Sequence, residues 1–139
     1  MNPLSILIAD DSKLARRWIK LALPENIKYT VVEASNGEEA LQVIRHTHFD
    51  LLLLDLNMPV LGGIDVLKIL QNNNEKPFVT VISADFQPAQ QAIVKQLGAH
   101  LFLKKPVNPD RLAMLVEKRY AFINSADRSN SSMASPNLV

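Results

Sequence analysis

Five polar side chains stand at the ends of apolar runs in this chain. Asp10 and Asp11 follow Leu4-Ser5-Ile6-Leu7-Ile8-Ala9, and Asp55 follows the four leucines Leu51 to Leu54. Ser83 follows Phe78-Val79-Thr80-Val81-Ile82, and Lys105 lies just beyond His100-Leu101-Phe102-Leu103. Alone, each has an ordinary explanation. Asp and Ser favour turns because their side chains hydrogen-bond nearby backbone, and Asp11 or Ser12 can cap a helix. Brought together, they mean more. Three carboxylates in one place repel one another and raise each other's pKa unless a cation intervenes. The chain has no cysteine and few histidines, so the available ligands are oxygens, which suit a hard ion, Mg²⁺ above all. A hydroxyl and an ammonium on the far side of that ion complete a cradle for an anion with three oxygens. Phosphoryl transfer requires this arrangement, with a carboxylate as the attacking group.

The elements that must bring these residues together follow from hydrophobic pattern. Leu4 to Ala9 reads as a buried strand. Leu14, Trp18 and Leu21 then recur at helical spacing and are expected to face the core, with Lys13, Arg16, Arg17 and Lys20 forming a solvated face. Pro24 closes that helix. Tyr29 to Ala34 is a second strand, and after the Asn36-Gly37 turn signal Glu38 to His46 form an amphipathic helix, with His46 and His48 as a favourable cationic end. The stretch Phe49 to Pro59 holds a third strand, whose uninterrupted apolar run indicates burial on both faces. Ile64, Leu67 and Leu70 mark a third helix, which ends in Gln71 and three asparagines. Phe78 to Ile82 is strand four. Pro88 opens a fourth helix carried by Ala92, Ile93 and Leu97 and stopped by Gly98. His100 to Leu103 is a short fifth strand, with His100 an ordinary loop residue before it. Pro109 opens a last helix with Leu112, Leu115, Val116 and Tyr120 inward. From Asn124 on, Ser and Asn dominate, and residues 124–139 are expected to be a flexible tail or truncated linker after a domain of residues 1–123.

Five strands alternating with five helices imply a parallel sheet with right-handed crossovers and helices on both faces, an α/β three-layer sandwich of the flavodoxin-like kind. The expected strand order is 2-1-3-4-5, which makes strands one, three, four and five contiguous at the carboxyl edge where such sheets bind ligands. The 139 residues suit one domain. A net charge of +1, from 15 basic and 14 acidic residues, offers no electrostatic case for nucleic acid or an anionic membrane. Absence of cysteine excludes disulfides, thiolate catalysis and cysteine zinc sites. Leu4 to Ala9 is too short for a signal peptide or a membrane span, and a cytoplasmic location is expected.

Asp10-Asp11, Asp55-x-x-Met58-Pro59, Ser83-Ala84 and Lys105-Pro106, in this strand order, closely resemble the receiver domain of two-component response regulators, over about residues 4–122. The resemblance implies that Asp55 accepts a phosphoryl group from a histidine kinase or histidine phosphotransfer protein. It implies Mg²⁺ held by Asp11, Asp55 and the backbone carbonyl of Asn57, with Asp10 acting through a metal-bound water. Ser83 would hydrogen-bond the phosphoryl group and Lys105 would pair with it; Lys105 rather than Lys104 takes that role because the family's lysine immediately precedes the proline. A cis bond before Pro106 is expected, and Phe102 occupies the family's switch-aromatic position. Self-catalysed phosphorylation and slow dephosphorylation would then control an output domain or partner protein, with phosphorylation-dependent dimerisation among the forms such control takes.

Lys104 reads as a solvated lysine. Phe86 either covers the site or anchors its loop. One rival reading is an interaction module that keeps the fold without phosphorylation, against which the complete site set argues. A second is a haloacid dehalogenase-like phosphatase, but those carry a second Asp two residues after the nucleophile, where this chain has Asn57. The Ser- and Asn-rich tail would also suit a linker within a longer regulator.

Overall fold

The computed structural model describes residues 1–73 and 76–128. Its elements are β1 (Leu4–Ala9), α1 (Lys13–Leu21), β2 (Tyr29–Ala34), α2 (Gly37–His46), β3 (Leu51–Asp55), α3 (Gly63–Leu70), β4 (Phe78–Ser83), α4 (Pro88–Gln96), β5 (Leu101–Lys104) and α5 (Pro109–Arg128). The strands form one parallel sheet in the order β2-β1-β3-β4-β5. The leucine run shows why the sheet needs two covering layers. Successive strand residues point to opposite faces, so Leu51 and Leu53 join one core while Leu52 and Leu54 join the other. The first core is closed by Ile19 and Leu23 near α1 and by Leu112, Leu115 and Val116 of α5. The second is closed by Ala40 and Leu41 of α2, Val66, Leu67 and Leu70 of α3 and Val94 of α4.

The starts of α1, α2 and α5 are fixed by side-chain caps. Ser12 Oγ accepts the Ala15 N–H at 3.1 Å, and Asn36 Oδ1 accepts the Glu39 N–H at 2.8 Å. Asn108 Oδ1 accepts from both Asp110 and Arg111 ahead of α5. Each satisfies a donor that the first helical turn leaves without a partner. Gly37 lets α2 approach the β3–α3 loop: its N–H donates to Leu61 O at 2.9 Å, and a Cβ there would collide with that same oxygen.

Several expectations are corrected. Leu14, Trp18 and Leu21 do not face the core; they are 63%, 64% and 68% exposed. The helix instead turns Ile19 inward, with Ala15 beside it, while Arg16 and Lys20 reach across to Glu33 on β2. Those two bases are therefore not a merely solvated face. In α4 the buried residue is Val94, while Ala92 and Ile93 are exposed. His48 lies beyond α2 and pairs with Asp50 at 3.0 Å, whereas His46 caps its own helix through Gln42 O at 2.9 Å. His100 is more than a loop residue. Its Nδ1 faces the Val79 N–H at 3.0 Å and its ring stacks on Phe78 at 4.3 Å, with Arg119 over Phe78's ring at 4.1 Å.

The last helix runs through Asn124 to Arg128 instead of breaking at Asn124. Asn124 is buried, accepts the Asn2 N–H at 2.8 Å and donates to Asn2 O and Tyr120 O. Its polarity signalled a tail, yet every polar atom of its side chain is spent on backbone. The remaining 129–139 portion of the expected tail lies outside the described residues.

In the middle of β4, Thr80 is fully buried and its Oγ1 has no hydrogen-bond partner among the described residues. A buried unsatisfied hydroxyl costs about 1–3 kcal/mol. Thr80→Val, which keeps the branched shape, is expected to raise stability by roughly 1 kcal/mol in urea unfolding with an unchanged m-value.

Candidate functional site

The sheet register assembles the site. Ala9 pairs with Leu54, Asp55 with Ile82, and Ser83 with Lys104, so the central strands end nearly flush. Asp10, one step past Ala9, thus stands level with Asp55, and Lys105, one step past β5, leans back over both. Carboxylate oxygens of Asp10, Asp11 and Asp55 all lie within 4.8 Å of one another. Asp10 and Asp55 are buried, at 1% and 4% exposure, while Asp11 is open to solvent.

Lys105 Nζ sits 2.8 Å from Asp10 Oδ2 and 3.4 Å from Asp55 Oδ1. The Ser12 N–H donates to Asp10 Oδ1 at 2.9 Å. Burial raises the pKa of Asp55 and the charge of Asp10 raises it further, opposed by Lys105 and by a hydrogen bond from the Asn57 backbone. Burial disfavours the ammonium of Lys105, but the combined pull of Asp10 and Asp55 holds it above the ordinary lysine value. Three carboxyl groups face a single ammonium in a small volume, an excess of acidic oxygens over cations. A divalent hard cation answers that excess, and the all-oxygen donor set suits Mg²⁺.

Ser83, the last residue of β4, is fully buried at the same edge, and its Oγ accepts the Asp85 N–H at 3.1 Å. Its oxygen thus accepts from its own loop, while the hydroxyl proton stays available for a further acceptor at that edge. Asn57 lies on the exposed β3–α3 loop. The Lys105–Pro106 peptide bond is cis. Phe102 is half-buried against the α2–α4 core. Phe86 meets it edge-on, centroids 5.2 Å apart, so Phe86 anchors the β4–α4 loop to β5. Lys104 Nζ stands 5.9 Å from the centre of the Phe86 ring.

One participant was missed from the sequence. Arg16 Nη1 donates to the backbone carbonyl of Asp10 at 2.7 Å. The available signal was position: a base in the first turn of a helix that doubles back from Asp10-Asp11 lies within reach of that strand end.

A parallel 2-1-3-4-5 sheet with three carboxylates and a lysine gathered at its carboxyl edge defines an α/β signalling-type domain of the flavodoxin-like fold. The model of the response regulator receiver domain family matches residues 6–117. Response regulator GtcR of Aneurinibacillus migulanus is 38% identical over 105 residues, 76% of this chain and 43% of that protein. A protein-glutamate methylesterase/protein-glutamine glutaminase of Geobacillus kaustophilus is 35% identical over 78% of this chain and 32% of its own length. The chain thus spans less than half of these relatives. Among solved structures, the receiver domain of the Francisella response regulator 1452 superposes with a TM-score of 0.79 at 33% identity, covering 88% of this chain and 99% of that one. Chemotaxis response regulator CheY4 of Vibrio cholerae gives 0.76 at 27% identity, covering 85% and 99%. The chain belongs to the response regulator receiver domain family, the phosphorylation-controlled receivers of two-component systems. Among the described residues, no helix is long and apolar enough to cross a membrane.

Proposed function

We propose that Asp55 is the phosphoacceptor and that Asp10, Asp11, Asp55 and the carbonyl of Asn57 hold Mg²⁺. The observation that carries this reading is the convergence of three carboxylates within 4.8 Å under a lysine that touches two of them. When bound, Mg²⁺ supplies positive charge to the oxygens of the transferring group. Asp55 attacks phosphorus through a carboxylate oxygen, and the bond from phosphorus to the donor's nitrogen breaks. Lys105 neutralises charge on the phosphoryl oxygens. The Ser83 hydroxyl donates to the phosphoryl group, which draws the β4–α4 loop inward. Because Phe86 in that loop rests on Phe102, the movement repacks Phe102 and alters the surface of α4, β5 and α5.

The donor is a histidine kinase or histidine phosphotransfer protein. The readout is an output domain or a partner protein, which the Ser- and Asn-rich stretch beyond α5 would link. Self-catalysed dephosphorylation resets the domain.

The test is incubation with acetyl phosphate followed by intact-mass measurement and peptide mapping. One phosphoryl group on Asp55, which does not form when Mg²⁺ is chelated before acetyl phosphate is added, is the expected result. Labelling at another residue overturns the site assignment. No labelling favours the interaction module that keeps the fold without phosphorylation.

A further inference from the structure

The Asp10–Asp11 segment is held by more than its own strand. The Asp10 N–H continues the β1–β2 ladder by donating to Ala34 O at 3.0 Å. Its carbonyl lies past the end of that ladder, and there Arg16 Nη1 provides the donor at 2.7 Å. The same guanidinium gives Nε to Glu33 Oε1 at 2.8 Å, and the other oxygen of Glu33 accepts from Lys20 Nζ at 2.8 Å. Glu33 is itself anchored in β2, in register with Ile8. Arg16 therefore spans from the neighbouring strand to the peptide that joins the two acids, and only 14% of its side chain is exposed.

We propose that Arg16 is a positioning residue for the cation: it fixes the plane of the Asp10–Asp11 peptide and so the directions in which both carboxylates leave the backbone. This rests on the reading of Asp10, Asp11 and Asp55 as Mg²⁺ ligands. A planar guanidinium grips two acceptors in fixed geometry, which an ammonium on a flexible stem does not. Partners that orient metal ligands without touching the metal commonly change affinity 10–100-fold.

The sign of the effect separates this role from a charge effect. Arg16 is a cation beside a cation site, so its charge alone opposes Mg²⁺, and removing it would tighten binding. Removing a positioning contact weakens binding instead.

The experiment is calorimetric Mg²⁺ titration of the unphosphorylated full chain for wild type, Arg16→Met, Arg16→Lys, Glu33→Gln and Asp11→Asn, with thermal melts of each in the absence of metal. Arg16→Met is expected to bind Mg²⁺ about 10-fold more weakly. Arg16→Lys restores the charge without the fork and stays weaker than wild type. Glu33→Gln keeps the arginine but loosens its hold; titrated at high salt, where the effect of its lost charge is screened, it still binds more weakly, and it carries the test if Arg16→Met fails to fold. Unchanged or tighter binding in Arg16→Met, full recovery in Arg16→Lys, or unchanged binding in Glu33→Gln each overturns the proposal. A wild-type chain without a Mg²⁺ isotherm, or one that Asp11→Asn leaves intact, overturns the metal reading itself and this inference with it.

Discussion

Asp55→Asn should abolish labelling by acetyl phosphate and, in the same protein, raise the melting temperature of the metal-free form. Loss of labelling follows because an amide oxygen is a poor nucleophile and no other carboxylate occupies the end of β3. The gain in stability follows from electrostatics. Asp55 is buried beside Asp10, and its pKa is raised, so folding at neutral pH forces a charge into an environment that disfavours it. An amide of the same shape removes that cost. The metal-free Asn variant is therefore expected to melt measurably above wild type at neutral pH. The pH dependence fixes the sign. A carboxyl whose folded pKa is raised carries no penalty below its unfolded value of 3.8, and the full penalty appears as pH rises through the folded value. The advantage of Asp55→Asn should therefore be greatest at neutral pH and vanish on acidification. Mg²⁺ should narrow it, because the metal stabilises the chain that keeps the ligand more. An Asn variant that melts with wild type at pH 7 without metal would contradict the electrostatic account, whatever its labelling.

Gly63→Ala is expected to be strongly destabilising, because the added methyl has no room against the end of β3. A Cβ on Gly63 would overlap the carbonyl oxygen of Asp55 and come within 2.9 Å of Leu56 Cα and 3.0 Å of Leu56 Cδ2. Two of these obstacles are backbone, so no side-chain rotation relieves them. The Gly63 N–H also donates to Leu56 O at 3.1 Å, which fastens the start of α3 to the end of β3. Inserting a methyl must either lift α3 off the sheet or tilt the peptide that follows Asp55. Overpacking of this kind costs about 1–3 kcal/mol, occasionally more, and Ala's helix advantage recovers at most about 1 kcal/mol. A net loss of about 1–2 kcal/mol in urea unfolding, with weaker Mg²⁺ binding, is expected. Wild-type stability in Gly63→Ala would mean that α3 and β3 are not in rigid contact.

The sequence foretold most of what a strand end can do. Apolar runs located β1 and β2 with the bounds observed, and the uninterrupted leucines of β3 announced burial on both faces. Because parallel strands of similar length end together, the acids at Asp10, Asp11 and Asp55 and the base at Lys105 came to one edge as anticipated. Rotation of helices about their own axes was not legible. In α1, the stripe Leu14–Trp18–Leu21 and the stripe Ala15–Ile19–Leu23 have equally good periodicity. What separates them is tertiary: Ile19 packs with residues of β1, β3 and α5, and Arg16 and Lys20 meet Glu33 on β2, none of which the helix's own sequence shows. Asn124 looked like the start of a tail because nothing local shows that Asn2 supplies its hydrogen bonds from the opposite end of the chain. His100 was passed over for the same reason: its partners, Phe78 and Val79, belong to the adjacent strand.

Trp18 is the chain's single tryptophan, and its ring stands in water on the outer side of α1. An indole so placed emits at long wavelength and shifts to the blue when something dry settles over it. The domain thus carries its own optical label, flanked by Leu14 and Leu21, on a helix that begins two residues after Asp11. Its emission reads contact with α1. An ion taken up among the strand-end acids is expected to leave that face in solvent and the emission wavelength unchanged, which a Mg²⁺ titration of Trp18 emission checks.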